Sequence, residues 1–285
     1  MIDLHCHLIP NIDDGAASPE AALIMARLAV AEGITTTACT PHIYPTLFEN
    51  DSAGILAGVD GLRGLLAEAG IPLQLTYGAD IQLVPELVQG LRTGRMPTLN
   101  GSRYFLFEPP HHSVPPAFDR LIFDCLAAGY VPVITHPERL GWLSDHHYDW
   151  FVNAALDGAW IQITADALTG RFGRQARYWA ERFLDDGLVH ILATDAHDPV
   201  HRPPRLGEGR WAAERWVGSA EAGRLVLERP QAILNNLDPA LVPPPPALVE
   251  DAGDRDGKEG PSARGLRTEG DSSPSLWQRL GRLFS

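Results

Sequence analysis

From its first residue to about residue 240 the chain alternates short runs of β-forming residues with longer stretches of helical periodicity, and this alternation restricts the fold more than any other feature. Strands that are each followed by a helix run parallel, because a crossover brings the chain back to the same end of the sheet. Seven such strands are predicted, near 2–7, 34–40, 73–80, 103–108, 131–136, 159–164 and 188–195. The first helix is marked by Ser18 as N-cap, Pro19 at the first helical position and Glu20 in the first turn, and it closes on Gly33. Further helices are predicted over about 52–69, 83–92, 116–128, 147–157, 173–186 and 210–227. Seven βα units predict an α/β fold, a closed or nearly closed barrel, with an open doubly wound sheet as the competing arrangement.

In such barrels the active site lies at the C-terminal ends of the strands. Strand one ends in His5 and His7, strand two runs into Thr-Pro-His with His42, and strand three ends at Asp80. Strand four ends at Glu108, strand five at His136, and strand seven at Asp195 with His197 just beyond. A lone histidine or carboxylate at a strand end is ordinarily a cap or a solvated loop residue. Here six of seven strands carry one, and Asp14 in Asp-Asp-Gly joins them. So many acids and imidazoles on one rim repel and desolvate one another unless cations neutralise them.

Nitrogen and oxygen donors without thiolate favour manganese, iron or zinc over a structural zinc site. Nine candidates exceed the needs of one ion and suit two or three, an arrangement used for in-line attack on phosphorus. Arg139, in His-Pro-Glu-Arg, and Arg202, in His-Arg-Pro-Pro-Arg, stand close to these ligands, where a planar guanidinium can grip a phosphate; Arg205 is the alternative to Arg202. His111 and His112 follow the Glu108 strand and either edge a pocket or lie on an exposed loop. His146, His147, His190 and His201 have no such placement and read as structural or solvated. Alternation along the first strand sends His5 and His7 to one side and Cys6 to the other.

The formal net charge of -13 argues against a general attraction to nucleic acid or anionic membrane. No uninterrupted apolar stretch of transmembrane length and no signal-peptide pattern is present, which predicts a cytoplasmic protein. Cys6, Cys39 and Cys125 fall in apolar segments and read as reduced buried thiols. A cysteine-nucleophile phosphatase needs an arginine six positions after its cysteine, and those positions hold Ile12, Pro45 and Val131. Beyond Leu241 the chain turns rich in proline, glycine, serine and charge, predicting a disordered linker over 242–275. Residues 276–285 end it with one apolar face, Leu276, Trp277, Leu280, Leu283 and Phe284, which reads as a disordered end or a short helix docking on a partner or membrane surface.

Taken in order, His-Cys-His, Asp-Asp-Gly, Thr-Pro-His, Tyr-Gly-Ala-Asp, Phe-Glu at 107–108, Thr-His-Pro-Glu-Arg and Thr-Asp-Ala-His followed by Arg-Pro-Pro resemble the PHP (polymerase and histidinol phosphatase) superfamily. More narrowly they are similar to bacterial capsule and exopolysaccharide protein-tyrosine phosphatases of the CpsB/YwqE type, from residue 2 to roughly residue 236. The resemblance implies a single-domain, TIM-like distorted (β/α)7 barrel over residues 1–241. It implies three metal ions, often manganese, and hydrolysis of phosphotyrosine on the tail of a bacterial tyrosine autokinase. Carried over, the ligands are His5, His7, Asp14, His42, Asp80, Glu108, His136, Asp195 and His197, with Arg139 and Arg202 at the phosphate. Position 80 departs from the family, which typically carries glutamate there. A small-molecule phosphatase of the histidinol phosphate kind, and a metal-binding scaffold without turnover, are the competing readings.

Overall fold

In a computed structural model, described here for residues 1–249, the predicted order of elements is present. The strands are β1 (Ile2–Cys6), β2 (Thr36–Cys39), β3 (His42–Ile43), β4 (Gln74–Tyr77), β5 (Asp80–Gln82), β6 (Tyr104–Glu108), β7 (Val131–Thr135), β8 (Trp160–Thr164) and β9 (Ile191–Ala193). The helices that flank them include α1 (Pro19–Ala31), α2 (Ser52–Glu68), α3 (Leu87–Arg92), α4 (Phe118–Ala127), α5 (Asp145–Asp157), α6 (Ala165–Leu168), α7 (Gly173–Asp185), α8 (Leu206–Gly223) and α9 (Arg229–Leu234). Residues 250–285, which contain the terminal apolar segment and most of the predicted linker, lie outside the described residues.

Seven strands are predicted and nine are present among the described residues: the short β3 lies just past the predicted second strand, and the predicted third strand is divided into β4 and β5. Between β2 and β3 stands Pro41, which has no N–H to give to a ladder, and between β4 and β5 stands Gly78. A Cβ on Gly78 would come within 2.8 Å of the Leu99 side chain, so a larger residue there would displace Leu99. The division separates a three-stranded sheet, β1-β2-β4, from a six-stranded sheet, β3-β5-β6-β7-β8-β9. Every strand pairing is parallel. The two ends of the series meet at a single parallel bridge, Cys6 with Ala196, where His7 N donates to Ala196 O at 2.9 Å and Asp195 N donates to His5 O at 2.8 Å. The first and last predicted ligands are therefore neighbours.

β6, β7 and β8 are buried on both faces, as the inner strands of a parallel sheet covered on both sides must be. Phe105, Phe107, Ile134, Ile161 and Ile163 pack in the large core shared with the helices, while Tyr104, Leu106, Val131, Val133 and Trp160 form a smaller inner cluster with Ile2 and Leu4. Leu4 belongs to the inner cluster and Cys6 to the outer, although they are two residues apart. A register shift between Asp3 and Cys6 accounts for this, turning Leu4 inward below while His5 and His7 reach the rim.

Helix α1 begins as its sequence predicts, with Ser18 Oγ accepting from Ala21 N at 3.2 Å and Pro19 in the first turn. Packing continues a few residues past Leu241. Val242 is buried, and the fully buried Arg229 donates to the carbonyls of Pro243 and Pro244 while pairing with Glu221 at 2.6 Å. No helix among the described residues is long and apolar enough to cross a membrane.

Candidate metal centre

Asp195 is the hub of the rim. Its Oδ1 lies 3.4 Å from Nε2 of His5, 3.4 Å from Nε2 of His7 and 3.5 Å from Nδ1 of His197. Its Oδ2 accepts from Arg139 Nη1 and, at 2.6 Å, from Arg202 Nη2. Asp80 Oδ2 lies 3.4 Å from His5 Nε2, 3.5 Å from His42 Nδ1 and 3.7 Å from His136 Nε2. Glu108 reaches His42 through Oε2 at 3.4 Å and His136 through Oε1 at 3.9 Å. At the outer side Asp14 Oδ1 lies 3.6 Å from His42 Nε2 and 3.5 Å from His197 Nε2. The structure thus brings all nine sequence-predicted ligands into overlapping groups of donors within 4.8 Å of one another.

Donor chemistry and burial both fit divalent cations. His42 Nδ1, Asp80 Oδ2, Glu108 Oε2 and His136 Nδ1 are buried without a hydrogen-bond partner. Leaving such an atom unsatisfied costs roughly 1–3 kcal/mol, more for a charged group. Of these, His42 Nδ1 lies 3.5 Å from Asp80 Oδ2 and 3.4 Å from Glu108 Oε2, and atoms that converge without hydrogen-bonding one another are what a cation satisfies. The oxygen and imidazole set, free of thiolate, suits manganese, iron or zinc.

The acids and imidazoles perturb one another strongly. Burial opposes ionisation of Asp80 and Asp195, yet the imidazoles beside Asp80 and the guanidinium of Arg202 with His5 beside Asp195 hold both carboxyls well below their usual range. Burial likewise disfavours the His5 imidazolium, but Asp80 and Asp195 outweigh it and lift the group to about 9; Glu108 and Asp80 lift His42 to about 10 in the same way. His136 and His197 go the other way, to about 4, because burial dominates. His136 and Asp195 also take left-handed backbone conformations, φ 35° and 51°. Side chains in that region are uncommon, and strain of this kind gathers at functional sites.

Several supporting residues escaped sequence reasoning. Asp13, not only Asp14, serves the site: its Oδ2 accepts from His7 Nδ1 at 2.7 Å and from His42 N at 3.0 Å, and its Oδ1 accepts from Gly15 N at 3.0 Å. A Cβ on Gly15 would collide with the His7 carbonyl, which explains the glycine of Asp-Asp-Gly. Gln162, on the one strand without a predicted ligand, places Oε1 2.9 Å from His5 Nδ1. Its signal was a lone polar residue in the otherwise apolar Trp-Ile-Gln-Ile. Asp3 ties β1 to the exit of β9, accepting from Thr194 N at 3.0 Å and Thr194 Oγ1 at 2.5 Å.

Phe172 lies beneath both guanidinium groups, 4.3 Å from Arg139 Cζ and 5.6 Å from Arg202 Cζ. Arg205 instead faces Asp166 at 3.5 Å, so Arg202 is the arginine at the rim. His111 and His112 line the site, whereas His146 and His147 pack about Trp142 and Trp150, His190 is buried behind β8, and His201 is exposed. Above the rim opens a cavity of about 470 Å³, walled by the cluster, Tyr44, Leu47, Phe48 and the loop 109–113. The three cysteines are buried and free; burial lifts the Cys6 thiol well above its usual value and Cys39 and Cys125 to about 12, so none offers a thiolate.

Comparison with known proteins places this geometry in context. A family model described as capsular polysaccharide synthesis, CpsB/CapC, matches residues 1–235. The tyrosine-protein phosphatase YwqE of Bacillus subtilis is 34% identical over 246 residues, covering 86% of this chain and 96% of YwqE. The tyrosine-protein phosphatase CpsB of Streptococcus pneumoniae is 28% identical over 240 residues, covering 82% and 98%. A chain from the crystal structures of YwqE and CpsB, described as metal-dependent tyrosine phosphatases, superposes with a TM-score of 0.78 at 33% identity, covering 84% of this chain and 96% of that one.

Proposed function

The chain belongs to the CpsB/CapC family of capsular polysaccharide synthesis proteins, and from that premise we propose that it is a metal-dependent protein-tyrosine phosphatase. The observation that carries the reading is Asp195, which shares one carboxylate between three imidazoles of the ligand cluster and two arginines. Cation ligands and phosphate-binding groups are thereby fixed within one residue's reach of each other.

The nine rim residues, His5, His7, Asp14, His42, Asp80, Glu108, His136, Asp195 and His197, would hold two or three divalent ions, manganese by preference, with iron or zinc as alternatives. When bound, such ions neutralise phosphoryl charge and acidify a water for attack. The rest falls to the chain. Arg139 and Arg202 each carry further N–H donors beyond those given to Asp195, which would meet phosphoryl oxygens, where charge grows in the transition state. Phe172 and Asp195 fix the guanidinium planes so that little orientation is lost on binding. Asp13 and Gln162 hold the imidazoles of His7 and His5. The leaving group is a phenolate with a pKa of about 10, so the need for a strong general acid is modest.

The capsular family supports a specific substrate, the phosphotyrosine tail of a bacterial tyrosine autokinase, and a role in capsule or exopolysaccharide synthesis. We read the catalytic body as residues 1–241, followed by a linker over 242–275, the start of which Arg229 holds, and a short amphipathic segment over 276–285 that is either a free end or a docking segment for a partner or membrane surface. The test is hydrolysis by the manganese-loaded protein of a phosphotyrosyl peptide from an autokinase tail against histidinol phosphate. Preference for the peptide supports the proposal; preference for histidinol phosphate overturns it in favour of a small-molecule phosphatase. Full metal loading without hydrolysis of either leaves a scaffold.

A further inference from the structure

One imidazole at the rim belongs to no predicted ligand position. His111 Nε2 lies 3.4 Å from Glu108 Oε1, the oxygen that His136 approaches. The His111 ring stacks on that of His136 with centroids 5.0 Å apart and planes 28° from parallel. Donor atoms of Glu108, His111 and His136 all lie within 4.8 Å of one another. Two cis ligands on one ion, with bonds of about 2.1 Å, stand roughly 3.0–3.5 Å apart, so the His111 to Glu108 spacing is that of two ligands to one ion.

The loop that carries His111 is fastened. Its own carbonyl accepts from Gly141 N at 3.0 Å, and the preceding carbonyl of Pro110 accepts from Trp142 Nε1 at 2.7 Å. Both anchors lie just after the turn that holds His136 and Arg139, so the two imidazoles are positioned together. Glu108 meanwhile faces two ways. Its Oε2 turns to His42 at 3.4 Å and has no hydrogen-bond partner, leaving Oε1 for the His111 side.

From this geometry we infer that His111 is a further ligand to a divalent ion held between Glu108 and His136, with the Glu108 carboxylate bridging to the neighbouring position at His42; the inference rests on the metal-centre reading above. It assigns the loop 109–112 to the centre itself, where a pocket wall would be the simpler role. His111 is half-buried at the cavity, so an ion there faces the incoming substrate.

The test uses the full chain loaded with cobalt(II), read by metal stoichiometry, affinity against a competing chelator, the visible absorption spectrum and the hyperfine-shifted imidazole N–H signals. His111→Phe keeps the stacked ring and removes the nitrogen donors. It is expected to lose one shifted N–H signal and to weaken one bound ion by at least tenfold, the low end of what loss of an outer partner costs, while the other ions stay bound. His111→Ala is the second variant, and free imidazole added to it is expected to restore the wild-type spectrum. Unchanged affinity, spectrum and N–H signals in both variants overturn the inference and leave the metal centre intact. A wild-type chain that takes up no cobalt at all overturns the metal-centre reading together with it.

Discussion

Asp13 Oδ2 accepts a hydrogen bond from His7 Nδ1 at 2.7 Å, and this contact decides which nitrogen of His7 faces the cluster. His7 and the other partners of Asp13 outweigh its burial and hold its carboxyl below the usual value, so it is ionised and can only accept. His7 Nδ1 is then the donor, and Nε2 is the nitrogen that faces Asp195, at 3.4 Å. Replacing Asp13 by alanine frees that tautomer and ring orientation. Asp13→Ala is expected to weaken metal affinity about 10–100-fold, with activity recovered at high metal concentration. Chelator competition and a metal titration of activity check this; wild-type affinity in the variant refutes the orienting role.

Arg139 and Arg202 are expected to act on the phosphoryl group and not on the metal. Arg139→Lys and Arg202→Lys keep the charge and lose the planar fork, so each is expected to lower kcat/KM by about 10²–10³ while metal content stays at the wild-type level. Arg205→Ala is the control, because that guanidinium faces Asp166. Steady-state kinetics alongside metal analysis decides the matter, and loss of metal from the lysine variants would assign the arginines a structural role.

Eight of the nine candidate ligands were legible because each stands at or just beyond a predicted strand end, and parallel topology sends strand ends to one rim, while Asp14 came from the Asp-Asp-Gly turn after the first strand. What was not legible depended on distances that spacing does not encode. Asp13 and Asp14 are adjacent in sequence, and only the fold shows that one grips His7 from outside while the other faces His42 and His197. The division of strand three had its signal in Gly78, but the run from 73 to 80 reads through it as continuous, and the two-residue β3 beyond Pro41 is too short for a pattern to show. From sequence His111 reads equally as pocket edge or exposed loop, since Gly141, which donates to its carbonyl, and Trp142, which donates to the adjacent Pro110 carbonyl, lie some thirty residues on, Trp142 being 32 residues from Pro110.

Metal removal and thiol chemistry separate the proposed mechanism from a cysteine route. Exhaustive chelation is expected to abolish hydrolysis, and manganese to restore it. Alkylating reagents applied to the folded protein are expected to leave the rate unchanged, because all three thiols are buried and protonated. Assays of the two treatments in parallel check this, and inactivation by the thiol reagent with metal retained would sink it.

At the cavity that Arg139 and Arg202 also line, Tyr44 and Phe48 close a tight turn through Tyr44 N to Phe48 O at 2.9 Å and Phe48 N to Tyr44 O at 2.8 Å. The Phe48 ring lies nearly parallel to His42, at 14° and 5.8 Å, and Leu47 projects beside it, 63% exposed. This apolar wall suits an aryl group. Phe48→Ala and Leu47→Ala are each expected to raise KM for a phosphotyrosyl peptide up to about tenfold, equivalent to ~1.4 kcal/mol of lost burial, with little change for an alkyl phosphate. Equal changes for both substrates would deny the wall any role in selecting the ring.

Acid sensitivity away from the metal centre is expected to come from His190. Its ring stacks on Trp160 at 4.9 Å, its Nδ1 accepts from Ile161 N at 3.1 Å, and its carbonyl accepts from Arg229, which in turn pairs with Glu221. Burial first, and the Arg229 charge second, hold the imidazole well below its ordinary value of 6.5. The unfolded chain therefore binds a proton near pH 6.5 that the folded chain refuses. The stability this group contributes is fully present above pH 6.5 and is lost as pH falls from there towards the folded value, by about 1.4 kcal/mol at pH 5.5. Glu138 and Asp3, raised by burial to about 7 and about 6, act in the opposite sense, so the effect is read as a difference between variants. His190→Asn keeps an acceptor for Ile161 N and cannot take up the proton. Urea denaturation at pH 7.5 and 5.5 is expected to show a smaller acid loss in this variant, by about that amount, and an equal loss in both proteins would exclude His190 as the source.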